Sequence, residues 1–207
     1  PRGSQPVQHS DEPPVSTLGH LLERLEREIQ REPLASVRPC CTCSRCPGHG
    51  ASVGSLCDAW LQNITVTSTV FDGTTAGARI KTKPKCAGRV SDVRYEDLVM
   101  TNVETPFDID MYYPGTGTQK KTSLRIENIT FENILSTGHK YDGQFLCDPD
   151  SPCRDLVFRN VTLHQDKDQW DCKDGKGDTC CSHASGTGEQ VHPAGLNDCF
   201  KHSFKHS

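Results

Sequence analysis

From about residue 57 onward, apolar and polar residues alternate in short bursts, and four of these bursts align. Asn63-Ile64-Thr65-Val66-Thr67-Ser68, Asp92-Val93-Arg94-Tyr95-Glu96-Asp97, Asn128-Ile129-Thr130-Phe131-Glu132-Asn133 and Asp155-Leu156-Val157-Phe158-Arg159-Asn160 each read polar, apolar, any, apolar, any, polar. Alternation with a period of two is the signature of a strand. The four segments start 29, 36 and 27 residues apart, and weaker alternating stretches at 77–81 and 106–111 lie between them. A repeat of this length with several short strands cannot bury its own apolar face, so successive repeats must stack. The pattern predicts an all-β chain folded as a right-handed parallel β-helix, a partial solenoid, with Asn and Asp at the corners bonding the backbone of each bend. The alternative is a β-sandwich. It requires hairpin turns, for which Asp72-Gly73 and Asp142-Gly143 are the main candidates.

Outside the repeats the pattern changes. Residues 1–16 are polar and Pro-rich, a composition that favours disorder. Leu18, Leu21, Leu22, Leu25 and Ile29 then recur at helical spacing. Ser16 or Thr17 caps the start of this predicted amphipathic helix, and Pro33 ends it. Past His164 the chain is rich in Asp, Lys, Gly, Cys and His and reads as loops stapled by disulfides. The expected organisation is therefore a disordered and helical segment over 1–45, solenoid turns over 46–165 and a Cys-rich tail over 166–207.

Composition narrows the class. Apolar residues make up 33% of the 207 residues and aromatics 6%, which argues for a thin or elongated core rather than a thick sandwich. The net charge of -4 argues against a nucleic-acid partner. No apolar run approaches the length of a membrane span, and no signal peptide is visible. The chain begins at Pro1 without Met, as a processed chain or a fragment would. Twelve cysteines and three Asn-x-Ser/Thr sequons, at Asn63, Asn128 and Asn160, point to a secreted glycoprotein in an oxidising compartment. Cys40, Cys41, Cys43 and Cys46 have spacings that also suit a zinc knuckle or an iron–sulfur run, but disulfides are preferred in that setting. A local disulfide can close the loop from Cys147 to Cys153, and Cys172, Cys180, Cys181 and Cys199 can staple the tail; the pairing is otherwise open.

The candidate chemistry lies in two short motifs. Gly48-His49-Gly50 precedes Ala51-Ser52-Val53-Gly54-Ser55-Leu56, and Arg79-Ile80-Lys81 follows on a predicted strand. Arg79 and Lys81 then project from one face while Ile80 points into the core. Two cations side by side, with a histidine brought near by the fold, make a site for a carboxylate-bearing ligand. Arg grips a carboxylate with two hydrogen bonds, and Lys adds a point charge.

In order and spacing these motifs resemble glycoside hydrolase family 28, the polygalacturonases. Gly48 to Leu56 is similar to the family's Gly-His-Gly segment. The stretch from Asn63 to Lys81 is similar to the next turn, ending at an Arg-Ile-Lys motif. Gly88-Arg89-Val90-Ser91-Asp92-Val93 and Pro106-Phe107-Asp108-Ile109-Asp110-Met111-Tyr112-Tyr113 continue the register, and Cys147 to Cys153 resembles a late disulfide loop. The resemblance covers about residues 46–165. It implies a right-handed parallel β-helix and inverting hydrolysis of α-1,4 bonds in polygalacturonate, with no cofactor. It also implies pectin as partner, a monomer, and a secreted, extracellular or cell-wall location. By resemblance His49 is the active-site histidine, Arg79 and Lys81 bind galacturonate carboxylates, and Tyr113 contacts substrate, with Tyr112 as an alternative register.

Inverting hydrolysis needs one carboxyl group as acid and another as base. In the family these come from an Asn-Thr-Asp segment and an Asp-Asp pair upstream of Gly-His-Gly. Here the sole aspartate before His49 is Asp11, between Ser10 and Glu12, in no such motif. The chain thus reads as the C-terminal half of the family domain fronted by unrelated sequence. Its expected function is that of a polygalacturonase-like hydrolase lacking the upstream aspartates; the alternative is an inactive β-helix that binds acidic polysaccharide, or an incomplete fragment. Asp108 and Asp110 share a strand face and are the remaining candidate carboxylate pair, although a structural role is expected for them.

Overall fold

A computed structural model of the chain describes residues 35–37, 48–114, 123–164 and 181–202. The predicted helix at 18–32 and the cysteine cluster at 40–46 lie outside the described residues. Among the described residues eleven strands run in order: β1 (Ala35–Val37), β2 (His49–Leu56), β3 (Ala59–Asp72), β4 (Ala76–Thr82), β5 (Ala87–Thr101), β6 (Thr105–Asp110), β7 (Ser123–Thr137), β8 (Gly143–Leu146), β9 (Cys153–His164), β10 (Cys181–Ser182) and β11 (Ala184–His192). One helix, α1 (Gly195–His202), follows. The odd-numbered strands form one sheet in the order β1-β3-β5-β7-β9-β11, and the even-numbered strands form a second in the order β10-β8-β6-β4-β2. Every pairing between these strands is parallel. Each turn of chain contributes one short and one long strand, and the result is a right-handed parallel β-helix. The sandwich is excluded, because it would require antiparallel hairpins.

The long strands are long because they turn corners without leaving the ladder. Each bends at two left-handed residues: Asn63 and Ser68 in β3, Asp92 and Asp97 in β5, Asn128 and Asn133 in β7, Asp155 and Asn160 in β9, with φ between 48° and 58°. These are the first and last positions of the four aligned segments. Asn and Asp tolerate this region better than other non-glycine residues. They also stack: Asn133 Nδ2 donates to Asp97 Oδ1 at 3.0 Å, Asn160 Nδ2 to Asn133 Oδ1 at 2.9 Å, and Asn128 to Asp92. Asp72-Gly73 is no hairpin. Gly73 has φ 67° and its amide bonds to the Thr101 carbonyl of the next turn at 2.9 Å.

The core is a set of ladders one residue wide. In the long-strand sheet Ile64, Val93, Ile129 and Leu156 are in register, as are Val66, Tyr95, Phe131 and Phe158. Tyr95 and Phe131 stack at 5.4 Å, Phe131 and Phe158 at 4.5 Å, and Phe107 of β6 meets both phenylalanines edge-on at 5.1 and 5.2 Å. Ile80, Ile109 and Phe145 form the facing ladder from the short strands. Stacking identical positions lets a chain with little apolar content build a dry interior.

The solenoid runs past His164, where loops were expected. The glycine-rich β11 pairs with β9 through His192, and α1 packs beside it. Leu196 is fully buried, and Phe200 lies 5.6 Å from Phe145 and 5.9 Å from Phe158, so α1 covers the end of the core. Sequence reading missed this strand because Ser185-Gly186-Thr187-Gly188 holds no apolar alternation. Disulfides join Cys57 to Cys86, Cys147 to Cys153 and Cys181 to Cys199. The second closes the predicted local loop, and the third ties β10 to α1.

Candidate functional site

The short-strand sheet turns Ile80 inward, fully buried, and Arg79 and Lys81 outward. Parallel register then sets their neighbours. Ser52 pairs with Arg79, Arg79 with Asp108, and Asp108 with Gln144, which makes one polar row across four strands. Lys81 lies in register with Asp110, and Asp110 with Leu146.

His49 opens β2, and the glycine after it has a steric reason. A Cβ on Gly50 would lie 2.5 Å from the Ala76 carbonyl oxygen and 2.6 Å from that of Gly77, closer than real Cβ atoms come. A glycine there lets β2 lie against β4 and brings the His49 ring to Arg79. His49 Nδ1 is 3.1 Å from Arg79 Nη1 and 2.8 Å from Thr75 Oγ1. A guanidinium only donates. Nδ1 therefore accepts from Arg79, and the ring proton sits on Nε2.

Arg79 is held at three points. Its Nε is 2.8 Å from Asp108 Oδ2 as an ion pair outside hydrogen-bond geometry, its Nη1 faces His49, and its carbonyl oxygen accepts the Tyr95 hydroxyl at 3.0 Å. Tyr95 is fully buried, and that burial holds its phenol well above the usual range. Asp108 Oδ1 accepts from Gln144 Nε2 at 2.8 Å, so both oxygens of this buried carboxylate are engaged. Asp110 Oδ1 accepts the Tyr112 amide at 2.8 Å. The Tyr112 hydroxyl reaches the Cys147 carbonyl at 3.2 Å and Asp148 Oδ2 at 3.4 Å. Burial first, then the Asp148 charge, push the Tyr112 phenol upward as well.

Tyr113 covers the cations. Its ring centroid is 5.2 Å from Arg79 Cζ and 4.5 Å from Lys81 Nζ, within cation–π range of both. Lys81 pairs with no carboxylate among the described residues. The two cations differ as a result: Arg79 is ion-paired with Asp108, and Lys81 is ion-paired with no carboxylate among the described residues. Each is 8% exposed, so a ligand meets only their tips.

The fold thus brings together all four predicted site residues, His49, Arg79, Lys81 and Tyr113. Tyr112, the alternative register, points instead to the Cys147 loop. Asp108 and Asp110 do share a face, but each is bonded into the wall rather than poised as an acid and base. Sequence reading missed Thr75, Gln144 and the buried Tyr95 hydroxyl. No group of three or more His, Cys, Asp or Glu among the described residues is placed to hold a metal ion.

Fold and site together define a right-handed parallel β-helix whose short-strand sheet carries a cation pair edged by histidine. The family model for glycosyl hydrolases family 28 matches residues 39–181. The chain belongs to that family. It is 35% identical over 159 residues to a polygalacturonase of Prunus persica, covering 70% of this chain and 37% of the relative. It is 39% identical over 127 residues to a polygalacturonase of Medicago sativa, covering 56% of this chain and 30% of the relative. Polygalacturonase QRT2 of Arabidopsis thaliana is 32% identical over 145 residues, covering 64% and 33%. The chain spans about a third of the length of these curated relatives. No solved structure matches it.

Proposed function

We propose that the chain is the substrate-holding part of a polygalacturonase-type hydrolase and binds galacturonate units of pectin on its short-strand sheet. One observation carries this reading. Lys81, unpaired with any carboxylate among the described residues, stands beside an Arg79 already oriented by Asp108 and His49, with the Tyr113 ring across both. A sugar carboxylate would meet Lys81 Nζ and the free edge of the guanidinium, and the pyranose ring would lie against Tyr113. In inverting hydrolysis His49 would support the acid through Nε2, while the acid and base come from carboxylates this chain does not carry in the family's motifs.

A second reading is an inactive polysaccharide-binding β-helix. It is favoured by the engagement of both Asp108 and Asp110 in structural hydrogen bonds. The test is reducing-sugar release from polygalacturonate together with polymer binding, by the wild type and by Arg79→Ala/Lys81→Ala. Turnover lost in the variant supports the hydrolase. Binding without turnover, lost in the variant, supports the second reading. Neither binding nor turnover from folded protein overturns both. The disulfides support an extracellular or cell-wall setting and, with it, glycosylation at Asn63, Asn128 or Asn160. A monomer without nucleic-acid or membrane partners fits the same reading. No helix among the described residues is long and apolar enough to cross a membrane.

A further inference from the structure

The first straight segment of each long strand forms a separate face, and its outward side carries an unusual set of residues. Trp60 of β3, Arg89 of β5 and Arg125 of β7 are in register, so they form one row across three adjacent strands. Glu127 and Arg154 form the next row in register with each other. Trp60 is 71% exposed, the most exposed of the large hydrophobic side chains among the described residues. Arg125 and Arg154 are exposed and pair with no carboxylate among the described residues. Arg89 is held by Glu127, Nε to Oε1, at 2.6 Å. These five positions carry three arginines and one glutamate, a local excess of positive charge on a chain whose net charge is -4.

The row is also rigidly seated. Trp60 and Arg89 each follow by three residues one half of the Cys57–Cys86 disulfide, which ties successive turns together. The Ala87 amide donates to Asp58 Oδ1 at 2.9 Å across the same join. An exposed indole on a fixed strand edge loses little freedom on meeting a ligand. Its strand and register neighbours among the described residues are Gln62 and Arg89 rather than further apolar side chains, so this face is not shaped for a second protein core. A flat aromatic face suits the C–H surface of a sugar ring. Guanidinium groups spaced by strands about 4.8 Å apart suit carboxylates along a polymer.

We propose that Trp60, Arg89 and Arg125, with Arg154 beside them, form a second binding surface for an acidic polysaccharide, outside the short-strand site. It would anchor a polyuronate strand through the indole face and the two unpaired arginines. The proposal rests on the reading of the chain as a pectin-binding protein for its polymer class, but on different residues and a different sheet.

The experiment is affinity electrophoresis of the full chain in gels holding polygalacturonate, a neutral glucan or no polymer, with a labelled DNA duplex as competitor. The wild type is compared with Trp60→Ala/Arg125→Ala and with Arg79→Ala/Lys81→Ala, each checked for native circular dichroism. The expected result is a polygalacturonate affinity reduced about tenfold in Trp60→Ala/Arg125→Ala, with no retardation by the glucan and no competition by DNA. An unchanged affinity in Trp60→Ala/Arg125→Ala overturns the second surface, and a loss confined to Arg79→Ala/Lys81→Ala leaves the short-strand site as the binder. A loss confined to Trp60→Ala/Arg125→Ala supports the second surface and removes the short-strand reading. Competition by DNA overturns the polyuronate assignment in favour of a general polyanion patch. No retardation of the wild type overturns both sites.

Discussion

Replacing Asp108 with Asn tests the electrostatics of the site with the least change in shape. The carboxylate lies 2.8 Å from Arg79 Nε through one oxygen and 2.8 Å from Gln144 Nε2 through the other, and it is 5% exposed. The amide oxygen can keep only one of these contacts. If it stays with Gln144, a neutral NH2 group takes the place of the carboxylate oxygen beside the guanidinium. The charge of Arg79 is then left buried without its partner. One-sided loss of a buried pair costs about 3–5 kcal/mol, which for a chain of this size lowers Tm by about 10 °C. Removing both groups restores part of the loss, so Arg79→Ala/Asp108→Ala should be more stable than the sum of the single changes predicts, by about 1–3 kcal/mol. Binding should move the other way. With Asp108 neutral, Arg79 no longer has an internal carboxylate, and polygalacturonate should bind more tightly, with a steeper dependence on salt. The assays are urea unfolding followed by circular dichroism and polymer binding at two ionic strengths. A loss below about 1 kcal/mol with unchanged salt dependence would refute the argument that Asp108 is the counter-ion of a buried Arg79.

Other consequences follow from the same structure. Phe131 is fully buried between Tyr95 and Phe158, so Phe131→Ala should cost about 3–5 kcal/mol in urea unfolding. Chain-entropy arguments make the Cys57–Cys86 link, with 29 residues of separation, worth about 3.6 kcal/mol and the Cys147–Cys153 link, with 6, about 2.2 kcal/mol, so the paired Cys→Ala variants should rank in that order. Tyr95 and Tyr112 hold their protons in the fold above the ordinary value of 10.0. As pH climbs past that value the unfolded chain releases protons that the fold retains, so stability falls with rising pH. Tyrosinate absorbance should show Tyr95 and Tyr112 ionising late, together with unfolding, and Tyr95→Phe should flatten the alkaline loss.

The solenoid was legible because its corners need a left-handed residue, and Asn or Asp at a fixed offset advertises that need. The offsets of 29, 36 and 27 residues that align the corners are the offsets of the stacked turns themselves. They therefore also name lateral partners. Arg79 plus 29 is Asp108, and Asp108 plus 36 is Gln144, the two contacts that fix the site. Trp60 plus 29 is Arg89, and Arg89 plus 36 is Arg125. Sequence reading paired Asp108 with Asp110, its neighbour on the strand, because alternation looks along a strand and not across the sheet. Read across, Asp108 is the counter-ion of Arg79 before it is anything else. Tyr95 was hidden differently: its ring occupies an apolar position of the repeat, and only the register brings its hydroxyl to the Arg79 carbonyl. The late strand β11 gave no signal, because an end strand capped by α1 leaves its packing to Leu196 and Phe200 of the helix. In a stacked fold the side chain that decides the charge of a site is thus found one repeat away rather than two residues away. This is why the two cations were visible along one strand, while the residue that stands against one of them emerged only from the register.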